Sequence, residues 1–303
     1  MKSAVQTGYN GISSVQVTDI PNPRVGPLAT LITGSYAPVL PWDIKAEEGL
    51  LPDGERRALP SVVGYGASGL VNNAGILGAR SLIGRRVIAL SPSGTNAQII
   101  AAPLAHYVIP VPDEVTMEQA ATVIAGADTA RMLMDHAHPT TGARIAVIGA
   151  TGGVGVYLVQ MLSNAGIVPD VLSSARSADF ARQIFPNSRV FTDRNEFPRG
   201  YDIVFDLTGN PTLISTGEQS LRSNGLLVAS STPGYRPQRP DIRGAFHNGP
   251  LSPTGYRTIL RQIADGTLMP VIDRIFSLTE VQQAQSHVKS GPHRGRTLLQ
   301  LNA

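Results

Sequence analysis

Hydrophobic and polar positions change their spacing twice along this chain. In roughly the first hundred residues, short runs rich in Val, Ile and Thr are separated by Gly, Pro or Asn, as in SSVQVTDI, LATLITGSY and RVIAL. Such runs predict β-strands joined by turns, and no helical period is apparent among them. The segment from Asp113 to Met134 then carries apolar residues at helical spacing. It predicts one helix, with an N-cap near Thr116.

From Ala143 onward, predicted strands alternate with predicted helices. Between the strand-like runs IAVIGA, DVLSSA, SRVFT, YDIVFDLTG and GLLVASST lie the helix-like runs GVGVYLVQML, SADFARQIF and TLISTGEQSLRS. This order predicts βαβ crossovers and a parallel sheet covered by helices on both faces. After a proline-rich stretch from Pro233 to Pro253 and a helix over Tyr256 to Asp265, the runs VIDRIFS and RTLLQL are strand-like again. We therefore expect the end of the chain to complete the N-terminal β-rich part.

Composition narrows the classes of protein to which this pattern can belong. Of the 303 residues, 42% are apolar and 16% are charged, which provides enough apolar surface for two cores and argues against disorder. The net charge is +3, and the basic residues are scattered along the chain. No basic stripe therefore indicates nucleic-acid binding. The absence of cysteine excludes disulfides, thiolate metal sites and a cysteine nucleophile. No apolar run reaches the roughly 18 residues of a membrane span, and the N-terminus has no signal-peptide core, so we expect a cytoplasmic protein without membrane contact.

The most informative local motif is ARIAVIGATGGVGVYLVQML, in which Ala150, Gly152 and Gly155 form an A-x-G-x-x-G pattern between a predicted strand and a predicted helix. In dinucleotide-binding folds such a turn lets the backbone approach a pyrophosphate and lets the helix pack closely on the strand, while the helix N-terminus offers free N–H groups. An ordinary glycine-rich turn is the alternative. The flanking strand and helix and the βαβ pattern that follows favour dinucleotide binding.

The end of the next strand, PDVLSSARS, distinguishes the two nicotinamide dinucleotides. NAD sites place an acidic residue there to hold a ribose hydroxyl, whereas NADP sites place cations and hydroxyl groups around the 2′-phosphate. This strand ends in Ser173, Ser174 and Arg176, and Asp170 lies at its opposite end. Arginine forms charge-assisted hydrogen bonds to phosphate. We therefore predict NADPH as the cofactor, with a solvated loop arginine as the alternative interpretation of Arg176.

Six motifs in colinear order give the chain a family resemblance over nearly its whole length. It resembles the medium-chain dehydrogenase/reductases, and specifically their zinc-free quinone oxidoreductase branch. The matching segments are LPWDIK (40–45), VVGYGASGLV (62–71), AGADTA (125–130), IGATGGVG (148–155), DIVFDLTGN (202–210) and FSLTEVQQAQSHVKSGPHRGRTLLQL (276–301). The glycine turn is the most specific of these motifs, and their common order is more informative than any single one.

The resemblance implies a fold and a set of cofactor residues. The fold is α/β, with a Rossmann-type doubly wound parallel sheet in residues 116–254 and a discontinuous, GroES-like β-rich catalytic domain in residues 1–115 and 255–303. The cofactor-binding residues that we expect are Thr129, Ala150, Thr151, Gly152, Gly153, Val154, Ser173, Ser174, Arg176, Thr208, Ser230 and Ser231.

The departures from the family concern the metal. Metal-using relatives carry a cysteine at the position of Leu40, a serine or threonine at Trp42, and a histidine–glutamate pair at Tyr65 and Gly66. A catalytic zinc needs three protein ligands, so the resemblance implies a protein without a metal. The histidines show no H-E-x-x-H spacing and are interpreted as surface or capping residues; they are His106, His136, His138, His247, His287 and His293.

The catalytic residues are left open by the sequence. Trp42 and Tyr65 are candidates for the wall of the substrate cleft, with simple packing as the alternative. Asp43, the third cleft candidate, is interpreted as a structural turn residue and Lys45 as a surface charge. Asp128 either orients the nicotinamide or caps a helix. We assign no general acid, because positioning and a dry cleft supply most of the rate enhancement in metal-free hydride transfer.

Three functions are compatible with these residues. The first is an NADPH-dependent, metal-independent oxidoreductase that transfers a hydride to a quinone or an α,β-unsaturated carbonyl. The second is an enoyl-thioester reductase of lipid or polyketide assembly. The third is a non-catalytic, crystallin-like NADPH-binding protein, which the replacement of the family's asparagine by Leu40 supports. Zinc-free relatives commonly dimerise through a sheet edge, which the resemblance puts between Asp241 and His247, so we expect a homodimer.

Overall fold

The computed structural model describes residues 1–51, 56–103, 105–291 and 294–302, in which three β-sheets carry the fold. Their strands are β1 (Lys2–Gln6), β2 (Val15–Asp19), β3 (Thr30–Pro38), β4 (Ser61–Val62), β5 (Gly66–Ala74), β6 (Arg86–Leu90), β7 (Ile99–Ala102), β8 (Val108–Pro110), β9 (Ile145–Ile148), β10 (Asp170–Leu172), β11 (Val190–Phe191), β12 (Tyr201–Asp206), β13 (Leu221–Ala229), β14 (Arg243–Phe246), β15 (Ile272–Ser277) and β16 (Arg296–Gln300). The helices are α1 (Pro41–Glu47), α2 (Met117–Thr122), α3 (Asp128–Ala137), α4 (Gly155–Asn164), α5 (Ala178–Ile184), α6 (Pro211–Ser220), α7 (Pro253–Ala264) and α8 (Val281–Ser290).

The N-terminal strands form a β-rich unit that the end of the chain completes. Its larger sheet has the order β15-β16-β3-β5-β6-β8, with β7 also paired to β3, and a smaller sheet has the order β2-β1-β4. Strand β16 runs antiparallel to β3, with Leu299 opposite Ala37. The β-rich unit is therefore discontinuous in sequence, as predicted. The domain boundaries at residues 115 and 255 stay a prediction.

The central part of the chain forms a six-stranded parallel sheet with the order β11-β10-β9-β12-β13-β14. All four residues of β9 are buried, because helices cover both faces of the sheet. The strand order reverses beside β9, and in doubly wound sheets ligands bind at such a switch point, outside the carboxyl ends of the strands. This arrangement confirms the predicted α/β fold class with a Rossmann-type sheet.

Two predicted elements differ in the structure. The first hundred residues do contain a helix, α1, which begins with Pro41 at its first position and buries Asp43 and Glu47. Its seven residues are too few to show a helical period, and its inward face carries acids. The predicted helix over 113–134 is broken between α2 and α3, where Ala125 adopts a φ of 51°. Its N-cap was predicted correctly, since Thr116 accepts a hydrogen bond from the Gln119 backbone in a capping box.

Among the residues with described structure, no helix combines the length and the apolar character that crossing a membrane requires.

Candidate active site

The glycine turn joins β9 to α4 at the centre of the parallel sheet. A Cβ atom at Gly155 would lie 2.5 Å from the Cα of Ala150, so only glycine lets the helix begin this close to the strand. By contrast, a Cβ at Gly152 would meet a single atom within 4 Å, the carbonyl oxygen of Gly149 at 3.7 Å. The backbone is thus open on the ligand side and closed on the helix side, which fits the approach of a pyrophosphate to the helix N-terminus.

Other predicted cofactor residues lie at the carboxyl ends of the neighbouring strands. Thr208 follows β12, and its hydroxyl donates to Asp206 at 2.7 Å. Ser230 and Ser231 follow β13, and the Ser230 N–H donates to the Asp206 carbonyl at 3.0 Å. A Cβ at Gly149 would lie 2.8 Å from the Thr208 side chain, so the β12 end adjoins the glycine turn. The structure therefore brings these polar groups to one edge of the sheet.

The end of β10 presents hydroxyl groups and cations. Ser173 is buried, whereas Ser174 and Arg176 are exposed. Asp170 lies at the opposite end of this strand, where it accepts hydrogen bonds from Arg189 at 2.9 Å and Tyr201 at 2.6 Å. Its carboxylate is thus engaged away from the predicted ribose position. The end of β10 therefore carries the two serines and the arginine that were expected there from the sequence.

A second arginine at the end of β10 was missed by the sequence reasoning. Arg294 donates to the backbone carbonyl of Arg176 at 2.7 Å and lies over the ring of Phe180 at 5.8 Å from its centroid. The two residues are 118 positions apart, so no local pattern connects them. Their meeting places two guanidinium groups beside the expected position of the 2′-phosphate.

A third arginine, also missed, lies buried beneath the glycine turn. The guanidinium of Arg296, on β16, donates to the carbonyl of Ala125, and a Cβ at Gly153 would lie 2.6 Å from its Cζ. The N–H of Gly295 donates to the Thr151 carbonyl at 2.8 Å. Burial lowers the pKa of Arg296, against which the nearby charge of Asp128 acts. The run RTLLQL predicted only a strand, and nothing in its pattern indicated a buried role for its first residue, Arg296.

The break between α2 and α3 brings Asp128 and Thr129 to the region of the glycine turn. Thr129 is half-buried at the start of α3, and its backbone N–H and hydroxyl both donate to the Asp128 carboxyl group. That carboxyl also accepts from the Tyr256 hydroxyl at 2.9 Å. Burial raises the pKa of Asp128, and these hydrogen bonds oppose the rise. Asp128 therefore fastens α7 to the start of α3.

Helix α1 and Tyr65, which hold the predicted cleft candidates, belong to the β-rich unit. Trp42 is half-buried on α1, and Asp43 is buried in the helix, not in the turn that the sequence predicted. The interpretation of Lys45 as a surface charge is wrong. Lys45 is half-buried, and its ammonium group donates to the carbonyl of Ser231 at 2.9 Å, because the fold brings α1 close to the end of β13.

Tyr65 precedes β5 and is half-buried against the larger core. Its hydroxyl forms no hydrogen bond with any described residue. Burial raises its pKa to about 12, and the nearby groups Asp128, Tyr107 and Asp43 add to the rise. The hydroxyl consequently keeps its proton at neutral pH and remains free to donate it to a ligand.

The two acids of α1 have unusual protonation behaviour. Burial raises the pKa of Asp43 to about 6, although Arg57 lies 3.7 Å from its carboxylate. Burial, with the charge of Asp43 one turn away, raises the pKa of Glu47 to about 8, although Gln285 donates to it at 2.7 Å. At neutral pH the inward face of α1 therefore carries one carboxylate and one protonated carboxyl group.

The metal-ligand positions of zinc-using relatives hold other groups here. Leu40 is the extended residue before α1, and Tyr65 and Gly66 follow each other into β5. In the described ranges, no three or more His, Asp or Glu side chains are placed to hold a metal ion. Of the predicted surface histidines, His136 stacks on His247 at 4.8 Å, whereas His293 lies outside the described residues. The residues present do not fit a catalytic zinc.

Comparisons with known proteins agree with this geometry. A family model described as zinc-binding dehydrogenase matches residues 176–299. A probable quinone oxidoreductase of Schizosaccharomyces pombe is 28% identical over 324 residues, covering 98% of this chain and 95% of that protein. The mycoketide-CoA synthase of Mycobacterium tuberculosis is 26% identical over 286 residues, covering 85% of this chain and 7% of that protein. The structure of a mycobacterial protein complexed with NADPH has the same fold, with a TM-score of 0.88 at 22% identity over 99% of both chains.

Proposed function

Since this chain belongs to the quinone oxidoreductase branch of the medium-chain dehydrogenase/reductase superfamily, we propose that it is an NADPH-dependent oxidoreductase that reduces a quinone or an α,β-unsaturated carbonyl without a metal ion. The observation that carries the proposal is the open glycine turn at the switch point of the parallel sheet, beside which Lys45 of α1 donates to the carbonyl of Ser231. A bound NADPH supplies the hydride.

The choice of NADPH over NADH rests on the end of β10. Two serines and the exposed Arg176 stand where NAD sites need an acid, and Arg294 adds a second guanidinium there. Asp170, the acid of this strand, is held at its other end. The mycobacterial structure with bound NADPH, similar in fold, is consistent with this choice.

The substrate contacts that we infer come from the β-rich side of the cleft. Tyr65 donates a hydrogen bond to the carbonyl oxygen of the substrate, where negative charge develops as the hydride arrives. Trp42 forms part of the cleft wall and helps to exclude water. Lys45 holds α1 against the end of β13, which keeps both walls in position around the nicotinamide. Thr129, at the start of α3, contributes to the nicotinamide end of the site.

The test is NADPH oxidation by the purified full chain with panels of para-quinones and of enones, each in the presence and absence of a chelator. We expect turnover that survives the chelator and that is much slower with NADH. In Tyr65→Phe, kcat/KM should fall about tenfold with the dissociation constant of NADPH unchanged, because the lost hydrogen bond forms in the transition state. Activity that disappears in chelator and returns with zinc refutes the metal-free proposal.

A second candidate function is enoyl-thioester reduction, which the similarity of 85% of this chain to part of a mycoketide-CoA synthase supports. Turnover of NADPH with a crotonyl thioester and none with quinones favours it. Tight NADPH binding without turnover on either panel favours a non-catalytic, crystallin-like role instead.

We also infer a homodimer formed through β14. Among the described strands, β14 pairs only with β13 and lies at the edge of the parallel sheet, where the backbone groups of its outer side are available for pairing. Two copies could join their sheets there, as the zinc-free relatives commonly do. Light scattering that gives the monomer mass of 32.0 kDa refutes the inference.

A further inference from the structure

Large apolar side chains are exposed together at one end of the β-rich sheet. Ten large apolar side chains of the described residues are exposed, and five belong to two segments of this end. They are Val25, Leu28, Ile76, Leu77 and Ile83, with 39%, 56%, 73%, 65% and 48% of their surface accessible. We call this group the tip. Clustered apolar exposure of this kind marks an interaction surface, whereas single exposed residues do not.

Two loops build the tip and are fastened to each other. One precedes β3 and the other joins β5 to β6. The N–H of Leu77 donates to the Pro27 carbonyl at 2.8 Å, and the N–H of Gly75 donates to the Ala29 carbonyl at 2.8 Å. A Cβ at Gly75 would collide with the Gly26 and Pro27 carbonyl groups, so the loops approach backbone to backbone. The tip is therefore a formed surface of the folded chain.

The exposed charged side chains on the two tip loops are all cationic. Arg24, Arg80 and Arg85 are exposed on the same two loops, and none of them forms an ion pair with a described residue. The sequence contains no aspartate or glutamate in residues 20–42 or 56–112, which include both tip loops, and the next acid, Asp113, pairs with Arg86 at 3.3 Å. An apolar centre is thus bordered by cations without a neighbouring carboxylate from these segments.

The tip lies far from the candidate active site. Strands β3 and β5 each have nine residues and run between the two regions: β3 starts at the tip and ends just before α1, and β5 starts after Tyr65 and ends at the tip. At about 3.3 Å per residue, these strands separate the two regions by roughly 30 Å. Contact at the tip consequently leaves the cleft open.

We propose that the tip docks the protein on lipid bilayers that carry anionic headgroups. The apolar side chains enter the boundary between headgroups and acyl chains, and the three guanidinium groups pair with lipid phosphates and carboxylates. Loops whose exposed charges are all cationic complement a planar anionic surface. The sequence prediction of no membrane contact rested on continuous apolar runs, and residues about 50 positions apart form no such run. The proposal does not depend on the proposed function.

The test is cosedimentation of the full chain with extruded vesicles, either of phosphatidylcholine alone or of phosphatidylcholine mixed with phosphatidylserine. We expect binding to the anionic vesicles that weakens as salt is added. The double variant Ile76→Ser, Leu77→Ser should lower the partition coefficient on the order of tenfold or more. The double variant Arg80→Ala, Arg85→Ala should lower it roughly tenfold on anionic vesicles and little on neutral ones.

The matched control is Val168→Ser, Met269→Ser, which removes two side chains with 53% and 67% exposure elsewhere on the molecule. It should bind anionic vesicles like the wild type, and thermal unfolding should show that all variants remain folded. The proposal is overturned if the wild type does not bind anionic vesicles, or if the control loses binding as much as the tip variant. It is also overturned if the tip variant changes only the oligomeric mass, since the tip is then an interface between copies of the chain.

Discussion

Replacing the buried Glu47 with glutamine should stabilise the protein at alkaline pH and have little effect in acid. The side chain is 1% exposed, and burial raises its pKa to about 8 from an ordinary value of 4.5. Between these two values the folded protein keeps a proton that the unfolded chain has already released. The free energy of unfolding therefore decreases as pH rises through this window and levels off above about pH 8.

The size of the effect follows from the same two values. The gap between 4.5 and about 8 corresponds to about 5 kcal/mol of destabilisation above the window, because each unit is worth about 1.4 kcal/mol. Asp43 lies one turn earlier and titrates with Glu47, so the two groups share this energy. Glutamine has nearly the same shape and cannot ionise. We expect Glu47→Gln to be roughly 3–5 kcal/mol more stable than the wild type at about pH 9.

Urea unfolding of both proteins at several pH values between about 5 and 9 measures the difference. The control is Glu48→Gln on the edge of the same helix, whose carboxylate is paired with Lys289 at the surface. That variant retains Glu47, so its stability should still decrease across the window, as that of the wild type does. If the stabilities of Glu47→Gln and wild type run parallel over the whole range, Glu47 is ionised in the folded protein and the reasoning from burial is wrong.

Three further predictions concern the cofactor. Gly155→Ala places a methyl group 2.5 Å from the Ala150 Cα, so NADPH affinity should fall at least tenfold with a loss of about 1–3 kcal/mol in stability; unchanged titration and melting curves contradict this. Arg176→Ala should weaken NADPH about tenfold to a hundredfold and leave NADH unchanged in fluorescence titrations, whereas equal losses would place the phosphate elsewhere. Lys45→Met removes the hydrogen bond to Ser231 and keeps the length of the side chain, so we expect the dissociation constant of NADPH to rise roughly fivefold; an unchanged value would show that this contact does not shape the site.

The sequence predicted what is encoded locally. The glycine turn, its flanking strand and helix, and the serines after β10 are contiguous, and their spacing carries the backbone geometry. Helix α1 was not predicted, because its buried face holds Asp43 and Glu47. Buried acids break the apolar pattern on which helix prediction depends.

Contacts between residues that lie far apart in the sequence could not be predicted from local patterns. Lys45 meets Ser231 over 186 positions, and Arg296 meets Ala125 over 171. In each case a long cationic side chain finds a backbone carbonyl that the fold, and not the neighbouring sequence, brings within reach. In the sequence, Lys45 and Arg296 look like ordinary charged residues, because their partners are determined by how the two sheets pack.

The contacts of Lys45 and Arg296 both join the β-rich unit to the unit that contains the parallel sheet. The β-rich unit touches the parallel sheet from two directions at the predicted cofactor position: Arg296 and Gly295 lie beneath the glycine turn, and Lys45 reaches the end of β13. A dinucleotide that spans the turn and the strand ends must therefore bind surfaces whose relative position the β-rich unit fixes. Binding and this contact between the units are thermodynamically linked, because whatever favours the correct packing of α1 and β16 also favours the competent site.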